Sequence, residues 1–148
     1  MIVKAYVDGS YDKERGVYGS GIVFLDEKET KVLREIYFGG NDPLWASAWN
    51  VAGELQAVLH AAGVAANTED VTKLIVYHDY EGSAKFATGE WGKDPRKLKP
   101  VSRAYQTVIR QLMEKITIEF IWTKGHSGNK WNDLADFLAK RGVQSVNV

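Results

Sequence analysis

The sequence predicts a mixed α/β fold: a five-stranded sheet whose first three strands run antiparallel, flanked by helices. Three observations carry this. Three β-patterned runs follow one another within residues 1–38, separated only by short polar turns. The apolar period then changes over 50–66, where Val51, Leu55, Val58, Leu59 and Ala62 fall on one helical stripe. Beyond that helix, short apolar runs alternate with helical patterns, as they do where a chain enters parallel strands.

The elements follow in order. Residues 2–8 (Ile-Val-Lys-Ala-Tyr-Val-Asp) are apolar on both faces, as a central strand is. A polar turn over 9–16 leads to a second strand over 17–25, and a charged turn over 26–30 to a third over 31–38. Residues 39–49 form a loop marked by Gly-Gly-Asn-Asp-Pro, and 50–66 the first helix. The run 74–77 reads as a parallel strand, 81–88 as a short helix and 89–100 as a basic, breaker-rich connection. A helix over 102–115, a fifth strand over 116–122 and a last helix over 129–141 complete the chain. No internal repeat, low-complexity tract or linker interrupts it, so 1–148 is read as a single domain.

Composition narrows the function. Nineteen basic and nineteen acidic residues cancel among 148, which argues against nucleic-acid binding through bulk positive charge. The cancellation is uneven: residues 1–74 hold 7 Lys/Arg against 11 Asp/Glu, and 75–148 hold 12 against 8. Lys93, Arg96, Lys97, Lys99 and Arg103 fall close together, opposed only by Asp94, either as a solvated helix start or as a footing for phosphates. With no cysteine, disulfides, thiolate catalysis and Cys-ligated zinc are excluded, which suits a reducing compartment. The N-terminus lacks the regions of a signal peptide, and no apolar run approaches the ~18 residues of a membrane span. A cytoplasmic protein without membrane association is expected.

Four acids stand where the local pattern calls for apolar residues. Asp8 ends the first strand, and Asp79 follows the run Leu74-Ile75-Val76-Tyr77. Glu54 lies about 40–60° from Val58 and Val51 at ~100° per residue, on the margin of the first helix's stripe. Asp133 lies early in the last helix, beside Leu134 and Leu138. Taken singly, Asp8 and Asp79 read as turn or cap residues, and Glu54 and Asp133 as first-turn helix acids. Taken together, the parallel neighbourhood of the first and fourth strands lets Asp8 and Asp79 converge, and the first helix brings in Glu54. Converging carboxylates repel, so a shared cation is the natural partner. Hard oxygen donors without Cys or paired His suit Mg²⁺ or Mn²⁺, and a pair of such ions serves in-line phosphodiester hydrolysis.

These residues carry a resemblance. Tyr6-Val7-Asp8-Gly9-Ser10 with Gly19-Ser20-Gly21, Asn50-Val51-Ala52-Gly53-Glu54-Leu55-Gln56-Ala57, and Tyr77-His78-Asp79-Tyr80-Glu81-Gly82 resemble, in order, blocks of type 1 ribonucleases H. So does Lys124-Gly125-His126-Ser127-Gly128-Asn129 with Asn132-Asp133-Leu134-Ala135. The branch most resembled is the bacterial and phage type also found with viroplasmin-like hybrid-binding domains. The resemblance implies a ribonuclease H-like fold and endonucleolytic cleavage of the RNA strand of RNA/DNA hybrids, leaving 5′-phosphate and 3′-hydroxyl ends. It implies that Asp8, Glu54, Asp79 and Asp133 hold two Mg²⁺ ions, for which Mn²⁺ can substitute. His126 would assist proton transfer or product release, although alone it reads as an exposed loop residue. Gly9, Ser10 and Asn50 match positions that touch backbone or 2′-hydroxyls. Trp91, Lys93, Arg96, Lys97 and Lys99 fall where some members carry a basic, aromatic protrusion gripping the DNA strand. A monomer is expected.

Some residues sit apart from this scheme. His60 and His78 read as structural, and Trp45 and Trp49 as core or loop packing. Glu81 replaces a polar Gln or Asn, and the stretch from His126 to Asp133 is short for the family. Two rivals remain: a DNA nuclease or transposase-like enzyme of the same fold, and a non-catalytic hybrid-binding module.

Overall fold

β1 (Ile2–Asp12), β2 (Val17–Asp26) and β3 (Val32–Gly40) form the antiparallel meander. β4 (Lys73–His78) and β5 (Thr117–Trp122) join in parallel on the far side of β1, in the order β3-β2-β1-β4-β5. The helices are α1 (Pro43–Ala46), α2 (Ala52–Ala66), α3 (Gly82–Thr88), α4 (Pro100–Lys115) and α5 (Lys130–Gln144). The computed structural model describes residues 1–123 and 128–147.

The central position of β1 explains its two-sided apolar pattern. Val3, Ala5 and Val7 pack into one core with Leu55 and Val58 of α2 and Tyr105 and Ile109 of α4. Tyr6 points the other way, into a core with Val23 and Leu25 of β2 and Ala135 and Leu138 of α5. The sheet is thus sandwiched, with α2 and α4 over one face and α5 over the other.

Two backbone approaches set how close these layers come. A Cβ on Gly9 of β1 would stand 2.3 Å from the Glu54 nitrogen, so the first turn of α2 lies directly on β1 beside Asp8. A Cβ on Gly21 of β2 would stand 2.2 Å from the Ala135 carbonyl oxygen, so α5 is seated equally close on the opposite face.

Several boundaries differ from expectation. β1 does not end at Asp8 but stays paired with β2 as far as Asp12↔Val17. Its parallel pairing with β4 stops at Tyr6↔Tyr77. Asp8 therefore stands mid-strand, just past the point where β4 departs. The loop over 39–49 contains α1, started by Asp42, whose side chain accepts from the Leu44 nitrogen at 2.9 Å with Pro43 following. Trp49–Val51 is a tight 3₁₀ turn, and α2 begins only at Ala52. The last helix opens at Asn129, whose side chain accepts from the Trp131 nitrogen, and runs on to Gln144.

Candidate active site

The β1–β4 register places Asp8 level with Asp79, each two residues beyond the last pair, Tyr6↔Tyr77. Asp8 is buried, and its Oδ1 accepts from the Gly9 nitrogen at 2.9 Å. Glu54 reaches the same place from the first turn of α2. Its carboxylate accepts from the backbone nitrogens of Asp79 (2.8 Å) and Tyr80 (3.0 Å) and from the Ser83 hydroxyl. Glu54 thereby braces the turn that carries Asp79. The Tyr105 hydroxyl donates to the Ser83 carbonyl at 2.7 Å, and the Trp122 indole to the Asp79 carbonyl at 2.7 Å, tying α4 and β5 to that turn. Asp8, Glu54, Asp79 and Asp136 all line one cleft of about 360 Å³.

The charges in this cleft are under strain. Burial pushes the Glu54 carboxyl up to about 7, against the lowering effect of its three donors, and the Asp8 charge adds to the rise. Lys140 pairs with Asp136 at 3.0 Å. The hydrogen bond that the ammonium donates to Asp136 raises its pKa, and the charge of Asp8 contributes further, so Asp8 and Asp136 share one neighbourhood. The acidic set consists of hard oxygen donors, which is the donor chemistry that divalent cations such as Mg²⁺ fit. Among the described residues no three acidic or imidazole groups form a ready-made cation cage; the carboxylates stand apart around the cleft.

The acid that α5 supplies is Asp136, not Asp133. The buried face of α5 consists of Asn132, Ala135, Leu138, Ala139 and Gly142. At about 100° per residue, Asp136 lies about 40° from Asn132 and Asp133 about 100°. Asp133 is consequently exposed and does not line the cleft. Reading the stripe from Leu134 and Leu138 turned the helix the wrong way, because the true contact face is built largely of alanine and glycine. Counting Ala135, Ala139 and Gly142 as core positions would have found Asp136.

The expected substrate residues divide. Gly9 and Asn50 line the cleft, while Ser10 is half-buried on β1 two positions past Asp8 and is not part of the lining. Trp91 is half-buried. Its ring packs edge-on to Phe86 at 5.4 Å and lies beneath the Lys85 ammonium at 5.3 Å. The segment folds back because Gln106 of α4 donates to the carbonyls of Phe86 (3.0 Å) and Gly92 (3.3 Å). Trp91→Ala is expected to lower stability by about 2–3 kcal/mol, read as a lower urea midpoint. A hybrid KM that rose with stability intact would show the expected grip on the DNA strand.

Lys93 is exposed, and Arg96 is folded onto Asp94 at 3.0 Å. Lys97 and Lys99 line a neighbouring groove together with Trp49, which is 65% exposed rather than packed; Trp45 does pack against the core. Glu81 lines the cleft, with its charge compensated by an ion pair to Lys85. His78 is buried, with Nδ1 2.9 Å from the Tyr80 carbonyl, and His60 lies against Phe38, so both serve packing. His126 lies outside the described residues.

Comparison with known proteins places this geometry. The RNase H family model matches residues 2–144. The Ribonuclease H of Chromobacterium violaceum is 29% identical, the alignment covering 97% of this chain and 96% of that one. That of Actinobacillus succinogenes is 27% identical over 99% of this chain and 92% of its own. Among solved structures, RNase H1 from Halobacterium salinarum NRC-1 shares the fold at a TM-score of 0.75, with 21% identity, covering 99% and 100% of the two chains. LC11-RNase H1, solved in complex with an RNA/DNA hybrid, does so at 0.74 with 21% identity, covering 96% of each.

Proposed function

The chain belongs to the ribonuclease H family, and from this we propose that its acid-lined cleft hydrolyses the RNA strand of RNA/DNA hybrids, leaving 5′-phosphate and 3′-hydroxyl ends. The observation that carries the assignment is convergence: β1, α2, the turn after β4, and α5 bring Asp8, Glu54, Asp79 and Asp136 to one cleft. Asp8, Glu54, Asp79 and Asp136 are the residues that would hold two Mg²⁺ ions, with Mn²⁺ able to substitute. Such ions, when bound, supply an activated water and stabilise the leaving 3′-oxygen.

The protein's own groups prepare that chemistry. Asp8 is anchored by the Gly9 nitrogen at the mouth of the gap between β1 and β4. Glu54 fixes the backbone of Asp79 and Tyr80, so two of the acids move as one unit. Lys140 balances the charge of Asp136. Gly9, Ser10 and the exposed Asn50 are the contacts proposed for backbone and 2′-hydroxyl, the group that marks RNA. His126 is proposed to assist proton transfer or product release. That a related fold has been solved on an RNA/DNA hybrid supports the substrate. No helix among the described residues is long and apolar enough to cross a membrane, and a cytoplasmic monomer is part of the proposal.

The test is cleavage of end-labelled RNA/DNA, RNA/RNA and DNA/DNA side by side. Asp8→Asn is expected to lower hybrid cleavage about 10³-fold while hybrid binding persists. EDTA should stop the reaction and Mg²⁺ or Mn²⁺ restore it. Normal cleavage by Asp8→Asn, or activity persisting in chelator, would overturn the metal assignment. Preference for duplex DNA would favour the DNA-nuclease rival.

A further inference from the structure

Behind Glu54, outside the lining of the cleft, lie two buried hydroxyls, those of Ser83 and Tyr105. Ser83 is the second residue of α3 and donates its hydroxyl to Glu54 Oε2. Tyr105 of α4 donates in turn to the Ser83 carbonyl at 2.7 Å, and both residues are 0% exposed. The other donors to Glu54 are backbone nitrogens of the turn after β4. That of Asp79 reaches Oε1 at 2.8 Å, and that of Tyr80 is shared between Oε1 at 3.1 Å and Oε2 at 3.0 Å. The Tyr80 nitrogen therefore does not tell the two oxygens apart. Among the described residues the Ser83 hydroxyl is the one side-chain donor to this carboxylate.

Resting on the reading that Glu54 helps to hold the divalent cations, we propose that Ser83 is a positioning residue. With Tyr105 behind it, Ser83 aims the Glu54 carboxylate into the cleft. A carboxylate offers about four acceptor positions, and three donors leave one for a metal ion. The direction of that position depends on how the other three are held. The terminal torsion of a glutamate has no sharp preference of its own, so partners fix it rather than the chain. Without the Ser83 hydroxyl, Oε2 would keep only its share of the Tyr80 bond and could swing out of line. A hydroxyl suits this task because its bond to an ionised acceptor is short and strong. Its own place is fixed twice, by the Ser83 nitrogen on the Tyr80 carbonyl at 3.0 Å and by Tyr105 on the Ser83 carbonyl. Neither side chain lines the cleft, so both act on a cation only through Glu54. Supporting partners of this kind are worth about 10–100-fold in metal affinity.

The test titrates the full chain with Mg²⁺ alone, without nucleic acid, and reads the rise in thermal midpoint above each protein's own cation-free value. Ser83→Ala removes one oxygen and leaves a good helix former in α3. It should need about 10-fold more Mg²⁺ for the same rise. Ser83→Thr keeps the hydroxyl and should titrate like the wild type. Tyr105→Phe keeps the ring and frees only the Ser83 carbonyl, so it should shift the titration the same way by a smaller factor. In hybrid cleavage by Ser83→Ala, half-saturating Mg²⁺ should rise by the same factor, with the saturating rate and hybrid KM close to wild type. A purely structural role would lower the cation-free midpoint and leave the Mg²⁺ dependence alone. An unchanged Mg²⁺ titration in Ser83→Ala, or a Ser83→Thr as impaired as Ser83→Ala, would overturn the proposal. So would a lower saturating rate with the Mg²⁺ dependence unmoved. Where Ser83→Ala does not fold, Tyr105→Phe carries the test, and an unshifted titration there overturns the proposal. The thermal titration does not depend on cleavage, so the two readings fail separately. A wild-type chain that cuts hybrids while Ser83→Ala titrates normally refutes only the role of Ser83. A chain that cuts nothing yet shows these Mg²⁺ shifts refutes only the cleavage.

Discussion

Asp136→Asn is expected to slow hybrid cleavage about 10²–10³-fold, the scale of losing one preorganised electrostatic group, whereas Asp133→Asn should leave the rate within about twofold. The two residues lie on the same helix, three positions apart, and carry the same charge, so the difference isolates geometry. Asp136 lines the cleft with Asp8, Glu54 and Asp79, while Asp133 faces solvent. The single-turnover rate at saturating Mg²⁺ is the measurement, because it reports the chemical step apart from product release. The reverse ranking would mean that α5 presents a different face to the sheet, and the four-acid assignment would fall with it.

Gly53→Ala is expected to destabilise the protein by about 3 kcal/mol, with the thermal midpoint falling by about 10 °C. Its Cβ would stand 1.9 Å from the Gly19 carbonyl oxygen and 2.9 Å from the Gly9 Cα. Both obstacles are backbone atoms of adjacent strands, so no side chain can turn aside to make room. The Ser20 hydroxyl also donates to the Gly53 carbonyl at 2.7 Å, a buried bond that would stretch as α2 moves outward. The next residue is Glu54, so the shift would disturb the brace on Asp79 and reduce cleavage as well. Gly63→Ala on the same helix is the control. Nothing lies within 4 Å of the added methyl there, so helix propensity alone should stabilise by up to about 1 kcal/mol. Equal midpoints for the two variants would show that α2 is not seated by backbone contact.

Much of this arrangement was legible beforehand, and the reasons are specific. Val3, Ala5, Tyr6 and Val7 announce a strand covered on both faces, and the structure buries all four. Asp8, Glu54 and Asp79 stand out as acids in apolar surroundings, and all three line the cleft. Trp45 packs against the core as expected, but Trp49 does not, because exposure is not written into residue type. Trp91 sits between Glu90 and Gly92 and Trp49 between Ala48 and Asn50, yet Trp91 is packed against Phe86 and Lys85 while Trp49, at a left-handed turn, is exposed.

By itself the sequence determined the order and kind of the elements and three of the four acids, because hydrophobic period and misplaced charge are properties of consecutive residues. The tertiary structure alone decided which acid of α5 enters the cleft and which tryptophan faces solvent. The rotation of α5 is set where Gly19 and Gly21 of β2 admit Ala139 and Ala135 to backbone contact. That contact joins segments more than a hundred positions apart, is made by residues with almost no hydrophobic signal, and lies in no local window.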